Sequence, residues 1–267
     1  MNCKNCEIRL QEDATYCHNC GARVIKNRLT LRNLFEHISE TFFNYDNKLL
    51  RTFLTLAKKP EQVVGGYVKG IRKRYVNPIS FFGLSITISG LSIFLIKRFY
   101  LEYFDMGKWF LQFEVFNNEG SKKMLENMSA GDTMEYSSLM FSIIIPVFAL
   151  LSWIIFLDKK YNFTEHIVLY LYTMSGLSIL TVILGQIILL ISPTNYISFI
   201  FLTYPVLLLY HCYALKRIFE LNFGQLILRT FLFLFLFGVT YIIIGIASFI
   251  IGLFMGTYDM QSFAPPK

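Results

Sequence analysis

The chain has 267 residues, of which 54% are hydrophobic, 17% aromatic and only 16% charged, with a formal net charge of +7. These proportions exclude an ordinary water-exposed domain, because the apolar residues are gathered into long uncharged runs. The basic balance points to no partner until its charges are placed relative to a membrane.

Residues 1–27 contain Cys3-Lys4-Asn5-Cys6 and Cys17-His18-Asn19-Cys20. Each CxxC pair aims two thiolates at one ion, and two pairs complete a closed tetrahedron, so the expectation is a zinc ribbon with Cys3, Cys6, Cys17 and Cys20 as ligands. A redox dithiol needs only one pair, usually in a βαβ context. With four thiolates the site has no open position, which makes the zinc structural and leaves His18 as an exposed knuckle residue. So short a segment cannot bury a core that folds it, and zinc would supply ~10 kcal/mol or more. Thiolate ligands need a reducing compartment, so the ribbon is expected in the cytoplasm. This polar start has no n-region and apolar stretch, so no cleavable signal peptide is expected and the first span serves as the insertion signal.

Residues 28–78 form a juxtamembrane segment. Thr30 is a candidate N-cap for a helix with Leu31, Leu34, Phe35, Ile38 and Phe42 on one face. A second amphipathic helix from Asp46 sets Leu49, Leu50, Phe53, Leu54 and Ala57 against Lys48, Arg51, Lys58 and Lys59, and Pro60 ends it. Such helices either pack on the ends of the spans or lie in the lipid interface. A basic cluster follows, Lys69, Arg72, Lys73 and Arg74, suited to anionic lipid headgroups. Gly65, Gly66 and Gly70 beside it read as a hinge or as positions where backbone amides approach a phosphate.

The ribbon, together with Leu50-Arg51-Thr52-Phe53-Leu54, Lys58-Lys59-Pro60 and the run from Tyr67 to Pro78, resembles a bacterial family of uncharacterised membrane proteins that join an N-terminal zinc ribbon to a multi-span domain, a domain of unknown function. Ile71 stands where such families usually show Lys or Arg. The resemblance implies a bacterial inner-membrane location and no assigned activity.

Residues 79–267 form the transmembrane domain. Uncharged runs at 79–96, 137–157, 167–191, 196–215 and 230–254 are each about long enough to cross ~30 Å of hydrocarbon. The fold class is therefore an all-α polytopic membrane protein of about five transmembrane helices, with the ribbon and amphipathic helices before them and an external loop at 97–136. Fourteen Lys/Arg precede the first span, and Lys159, Lys160, Lys216, Arg217 and Arg229 join them on the inner side. Six basic residues remain outside, which places the N-terminus in the cytoplasm and the C-terminus outside. Lys97-Arg98 runs against this locally.

Within the spans, Pro146 and Pro205 are kink positions and Gly238, Gly245 and Gly252 are close-packing positions. Cys212 reads as a small buried apolar residue. No Asp or Glu lies within a proposed span, which argues against ion-coupled transport. Glu165, His166, His211 and Arg229, with Arg217 and Glu220, gather at the inner ends as interfacial pairs or as a polar site. The outer loop, rich in Trp109, Phe110 and Phe116, reads as an interfacial belt, and the glycosylation pattern at Asn127 as chance.

No HExxH, Walker-type loop or G-x-S-x-G elbow occurs, and no basic helix or RNA-binding motif accompanies the ribbon. The expectation is a non-enzymatic membrane protein whose ribbon binds a cytoplasmic partner or aids assembly, with the lipid bilayer as its other partner and no nucleic acid. The alternative is a permease or channel for an uncoupled or lipid-like substrate.

Overall fold

The computed structural model describes residues 2–22, 24, 30, 48–103, 113 and 137–254. The helix expected after Thr30, most of the 97–136 loop with its aromatic residues, the Asn127 triplet and the residues past Phe254 lie outside these. The chain divides into two units, Met1–Leu49 and Leu50–Lys267.

In the first unit, residues 2–22 form turns, with an isolated antiparallel bridge between Asn2 and Arg9. Its interior consists of Cys3, Leu10 and Cys17, with Cys6, Ala14 and Val24 packed against them. Three buried residues remove too little apolar surface from water to fix a fold, as expected for a segment this short.

Seven α-helices follow among the described residues: α1 (Lys48–Lys58), α2 (Pro60–Val68), α3 (Pro78–Phe99), α4 (Ser137–Ile155), α5 (Phe163–Ile191), α6 (Tyr196–Phe219) and α7 (Phe223–Phe254). Four segments among them are long and apolar enough to cross a membrane: Pro78–Phe99, Phe163–Ile191, Pro193–Phe219 and Phe223–Ala247. The remaining apolar run forms α4, whose apolar stretch Leu139–Ile155 is shorter. Its 19 residues rise about 28 Å, just under the ~30 Å of a hydrocarbon core. The expected five spans thus resolve into four long helices and one shorter one.

Side-chain contacts give the directions of these helices. Tyr172 donates to the Val76 carbonyl at 2.7 Å, and further along Gln186 donates to Ser92 at 2.6 Å, so α3 and α5 are parallel. In α4, Phe148 meets Tyr170 while Ser152 meets His166, an antiparallel pairing with α5. α6 is also antiparallel to α5, with Tyr196 against Gly185 and Phe219 stacked on His166. α3 lies beside Tyr172 to Leu189 of α5, whereas α4 lies beside the N-terminal part of that helix. The 29 residues of α5 therefore reach past α4 at one end.

Two tight turns join these helices by the same device. Asn162-Phe163-Thr164-Glu165 opens α5 with a reciprocal capping box, Glu165 N donating to Asn162 Oδ1 at 2.9 Å and Asn162 N to Glu165 Oε2 at 2.8 Å. Asn222-Phe223-Gly224-Gln225 does the same for α7, at 2.8 and 3.2 Å. Each box satisfies orphan N–H groups at a helix start.

The stretch before α3 departs from expectation. Pro60 both stops α1 and opens α2 at its first turn, where its missing N–H costs nothing. Gly65 and Gly66 are buried inside α2, with the Tyr161 hydroxyl 3.6 Å from where a Cβ on Gly65 would stand, so they serve packing and not a hinge. In α1 the buried face is Thr52 and Leu56, at 0% and 2% exposure, while Leu50 and Leu54 of the expected apolar face are half exposed. Thr52 Oγ1 accepts the Val76 N–H at 3.0 Å, and a Cβ on Gly176 would stand 2.7 Å from Leu56 Cδ2. α1 thus packs on the bundle through Thr52, Leu56 and Phe53, the last edge-on to Phe81 at 5.3 Å between ring centroids, while Leu50 and Leu54 stay exposed.

A Cβ placed on Gly238 or Gly245 would meet nothing within 4 Å, so among the described residues the close packing expected at these two positions is not made.

Candidate functional site

The strongest constellation is the cysteine group. All four Sγ atoms lie within 4.8 Å of one another. Cys3 and Cys20 are 3.7 Å apart and Cys6 and Cys17 are 3.5 Å apart. Four thiolates at a zinc–sulfur distance of ~2.3 Å form a tetrahedron with edges of ~3.8 Å, so this donor set suits one tetrahedral ion.

Two matched backbone knuckles produce the geometry. Glu7 N donates to the Cys3 carbonyl and Gly21 N to the Cys17 carbonyl, both at 2.9 Å. Cys3 N donates to Ile8 O at 2.9 Å and Cys17 N to Ala22 O at 2.8 Å. The residue after each second cysteine must be left-handed, and Glu7 and Gly21 have φ of 60° and 68°. Glycine adopts this freely; the glutamate adopts it at a cost.

The thiols differ in acidity. The Asn5 side chain and the Ala22 N–H hold the Cys20 thiol down to about 6, and the Cys20 N–H lowers Cys17. Against the lowering pull of the Ile8 N–H, contact with Cys20 and burial push Cys6 up to about 11. Four thiolates this close repel, and a divalent cation is the natural partner that lets all of them ionise.

The basic cluster forms a second candidate. Ile71 N donates to Gly66 O at 2.8 Å and Gly70 N to Tyr67 O at 3.0 Å, a Schellman ending for α2 with Gly70 at φ 94°. Lys69, Arg72, Lys73 and Arg74 are all exposed on the chain that follows, with Ile71 exposed among them. Arg72 lies 5.5 Å from the Tyr67 ring and Arg74 5.6 Å from the Tyr75 ring.

The residues expected at the inner polar cluster take separate parts. Glu165 belongs to its capping box. His166 is buried, with Nδ1 3.0 Å from Ser152 Oγ, and stacks on Phe219. His211 of α6 is buried beside the next turn of α5, stacked on Tyr170, with its Nδ1–H donating to Leu207 O at 2.8 Å. Arg229 pairs with Asp158 at 2.6 Å and lies 4.6 Å from the Phe156 ring. Aromatic rings lie between these groups, and the hydroxyl–imidazole contact of Ser152 with His166 is fully buried. Arg217 pairs instead with Glu61 on α2, at 2.6 Å.

Sequence reasoning missed Asp158, Ser152 and Glu61. Asp158 carried one signal, as the carboxylate immediately after an apolar run. Residues 46–90 match a family described as a protein of unknown function (DUF3667). No curated protein and no solved structure matches the chain. The matched stretch holds α1, α2, the basic turn and the first half of α3, and it supports a place for this part of the chain in an uncharacterised family.

Proposed function

We propose that the chain is an integral membrane protein of the bacterial inner membrane whose cytoplasmic ribbon holds one structural zinc ion and serves as a contact module for a partner or for assembly, without catalysing a reaction. The approach of four cysteine Sγ atoms to within 4.8 Å on two matched knuckles carries this reading. Its closed donor set leaves no position for a substrate. Ile8 and Tyr16, exposed on the ribbon, are the candidate contact residues. The inner orientation draws support from the side chains that collect at one end of the bundle, where α2, Asp158, Arg217 and Arg229 meet.

Elemental analysis of the purified full-length protein should find one zinc per chain, and Cys17→Ser with Cys20→Ser should bring it near zero. Equal zinc in both would refute the assignment. Tyr16→Ser should retain zinc while weakening crosslinks to cytoplasmic partners.

The exposed turn of Lys69, Arg72, Lys73 and Arg74 supports contact with anionic headgroups, each basic residue contributing ~1 kcal/mol near such a surface. In lipid nanodiscs, protease protection of this turn should be greater with anionic than with zwitterionic lipid and should weaken with salt. Equal protection in both would leave the cluster as a topology signal only.

A further inference from the structure

We propose that α1 is an in-plane membrane helix, seated in the leaflet at which α3 begins, with Leu50, Leu54 and Ala57 against lipid acyl chains and Arg51 and Lys58 toward the headgroups. This rests on the membrane reading above and is independent of the zinc reading.

The direction of α1 follows from its contacts taken in chain order. Thr52 Oγ1 accepts the N–H of Val76 just before α3, and Phe53 stands edge-on to Phe81 in the first turn of α3. Leu56 then meets Gly176 of α5, and its carbonyl accepts the Tyr210 hydroxyl of α6 at 3.0 Å. The Lys58 carbonyl accepts the Tyr213 hydroxyl at 2.6 Å. In under two turns α1 thus passes from α3 across α5 to α6, so it lies across the spans and not along them. A helix lying across spans runs in the plane of the bilayer. Its depth is that of the first turn of α3, where that span enters the hydrocarbon.

The faces of α1 fit this depth. At 3.6 residues per turn, Phe53, Ala57, Leu50 and Leu54 continue round the helix from the buried Thr52 and Leu56, and Lys58 and Arg51 come next. Phe53, which meets α3, marks the side toward the hydrocarbon, and the exposed Ala57, Leu50 and Leu54 lie beside it. The basic residues fall on the side away from the course of α3. Ile79, in the first turn of α3, is 70% exposed, so the open apolar stripe of α1 stands at the same depth as the open apolar face of that span. Lipid chains cover both at once, and the basic arc below meets headgroups, the arrangement that suits an amphipathic helix in the interface.

The test places one tryptophan at a time in the full-length protein, as Leu54→Trp, Leu50→Trp, Lys58→Trp or Leu91→Trp, with the wild-type emission of Trp109 and Trp153 subtracted. The nanodiscs contain phospholipid brominated either near the headgroup or near the methyl end of its chains. At the depth of ~5–10 Å to which interfacial helices bury their apolar face, Leu54→Trp and Leu50→Trp should lose about half of the added emission to bromine near the headgroup, and less to the deeper bromine. Lys58→Trp should respond to acrylamide in the water and far less to either bromine. Leu91, 60% exposed along α3, tests the membrane reading separately, since Leu91→Trp should be quenched by the deeper bromine. With Leu91→Trp so quenched, Leu54→Trp and Leu50→Trp reached only by acrylamide would put the stripe in water and overturn the proposal. Shielding of both from bromine and acrylamide alike would show a protein covering the stripe and also overturn it. Equal bromine quenching of Lys58→Trp and Leu54→Trp would show a helix submerged all round and overturn the in-plane placement. No bromine quenching at any site, Leu91→Trp included, would overturn the membrane reading and this proposal with it.

Discussion

The two units of this chain are held together by opposite means. Among the described residues of the N-terminal unit the buried ones are Cys3, Leu10 and Cys17, and the cysteine geometry comes from local turns closed by hydrogen bonds between residues four or five apart. In the helical unit the fixing contacts join residues far apart, such as Tyr172 with Val76 and Gln186 with Ser92, and large apolar side chains face outward along α5 and α7. On the proposed zinc reading, an ion selects the fold of a segment with so small a core. A bundle in lipid satisfies its backbone within each helix and relies on close fit between helices, because lipid supplies little hydrophobic drive for their association.

Removing the metal site should therefore produce the largest and most local effect. Cys17→Ser with Cys20→Ser should forfeit ~10 kcal/mol of zinc-linked folding free energy. Hydrogen exchange should show lost protection over residues 2–22 and unchanged protection in α3 to α7. Loss of protection in both units would end the contrast.

Changes at the seam between α1 and α5 come next. Leu56→Ala should destabilise the helical unit by ~2–5 kcal/mol by leaving a cavity. Gly176→Ala should cost ~1–3 kcal/mol, because its Cβ would meet Leu56. Combined, the two should cost less than the sum, since the smaller side chain makes room for the methyl group. Additive losses in thermal unfolding would show that the close approach is not what couples them.

The surface ion pairs should matter less. Burial raises the Glu61 pKa, but the hydrogen bond and charge of Arg217, a backbone hydrogen bond and the charge of Lys59 together outweigh it and lower the carboxyl overall; the hydrogen bond with Arg229 lowers Asp158. A depressed carboxyl pKa contributes stability above the unfolded value of ~4 and loses it as pH falls through the lower folded value. The melting temperature of the wild type should thus fall below pH 4 more steeply than that of Glu61→Gln with Asp158→Asn. Identical pH profiles would remove these pairs from the account.

The smallest effect lies in the ribbon backbone. Glu7→Gly should relieve the left-handed strain at φ 60° and stabilise the zinc-bound ribbon by up to ~1 kcal/mol. It should slow zinc loss to a chelator; faster loss would mean that the Glu7 side chain makes a contact worth more than the strain.

Much of this architecture was legible from residue order alone, for a physical reason that differs between the units. The cysteine spacing is a local property, since a CxxC knuckle is built from neighbouring residues, and the structure brings the four Sγ atoms together. Four of the five apolar runs become long helices because a backbone crossing hydrocarbon must satisfy itself, which makes run length decisive. Their ends were less legible: α5 and α7 begin four and seven residues before the runs at 167 and 230, because capping boxes start them in polar sequence.

What only the tertiary structure decided are the relations between distant residues. The amphipathic pattern of α1 could not show that Thr52 and Leu56 face the bundle, because beside a membrane an apolar stripe has two favourable neighbours, protein and lipid. Asp158 and Arg229 are 71 residues apart, and no local pattern pairs them. The same holds for His166 and Ser152: composition determined that this chain is helical and apolar, but the directions and offsets of the helices determined which buried polar groups meet.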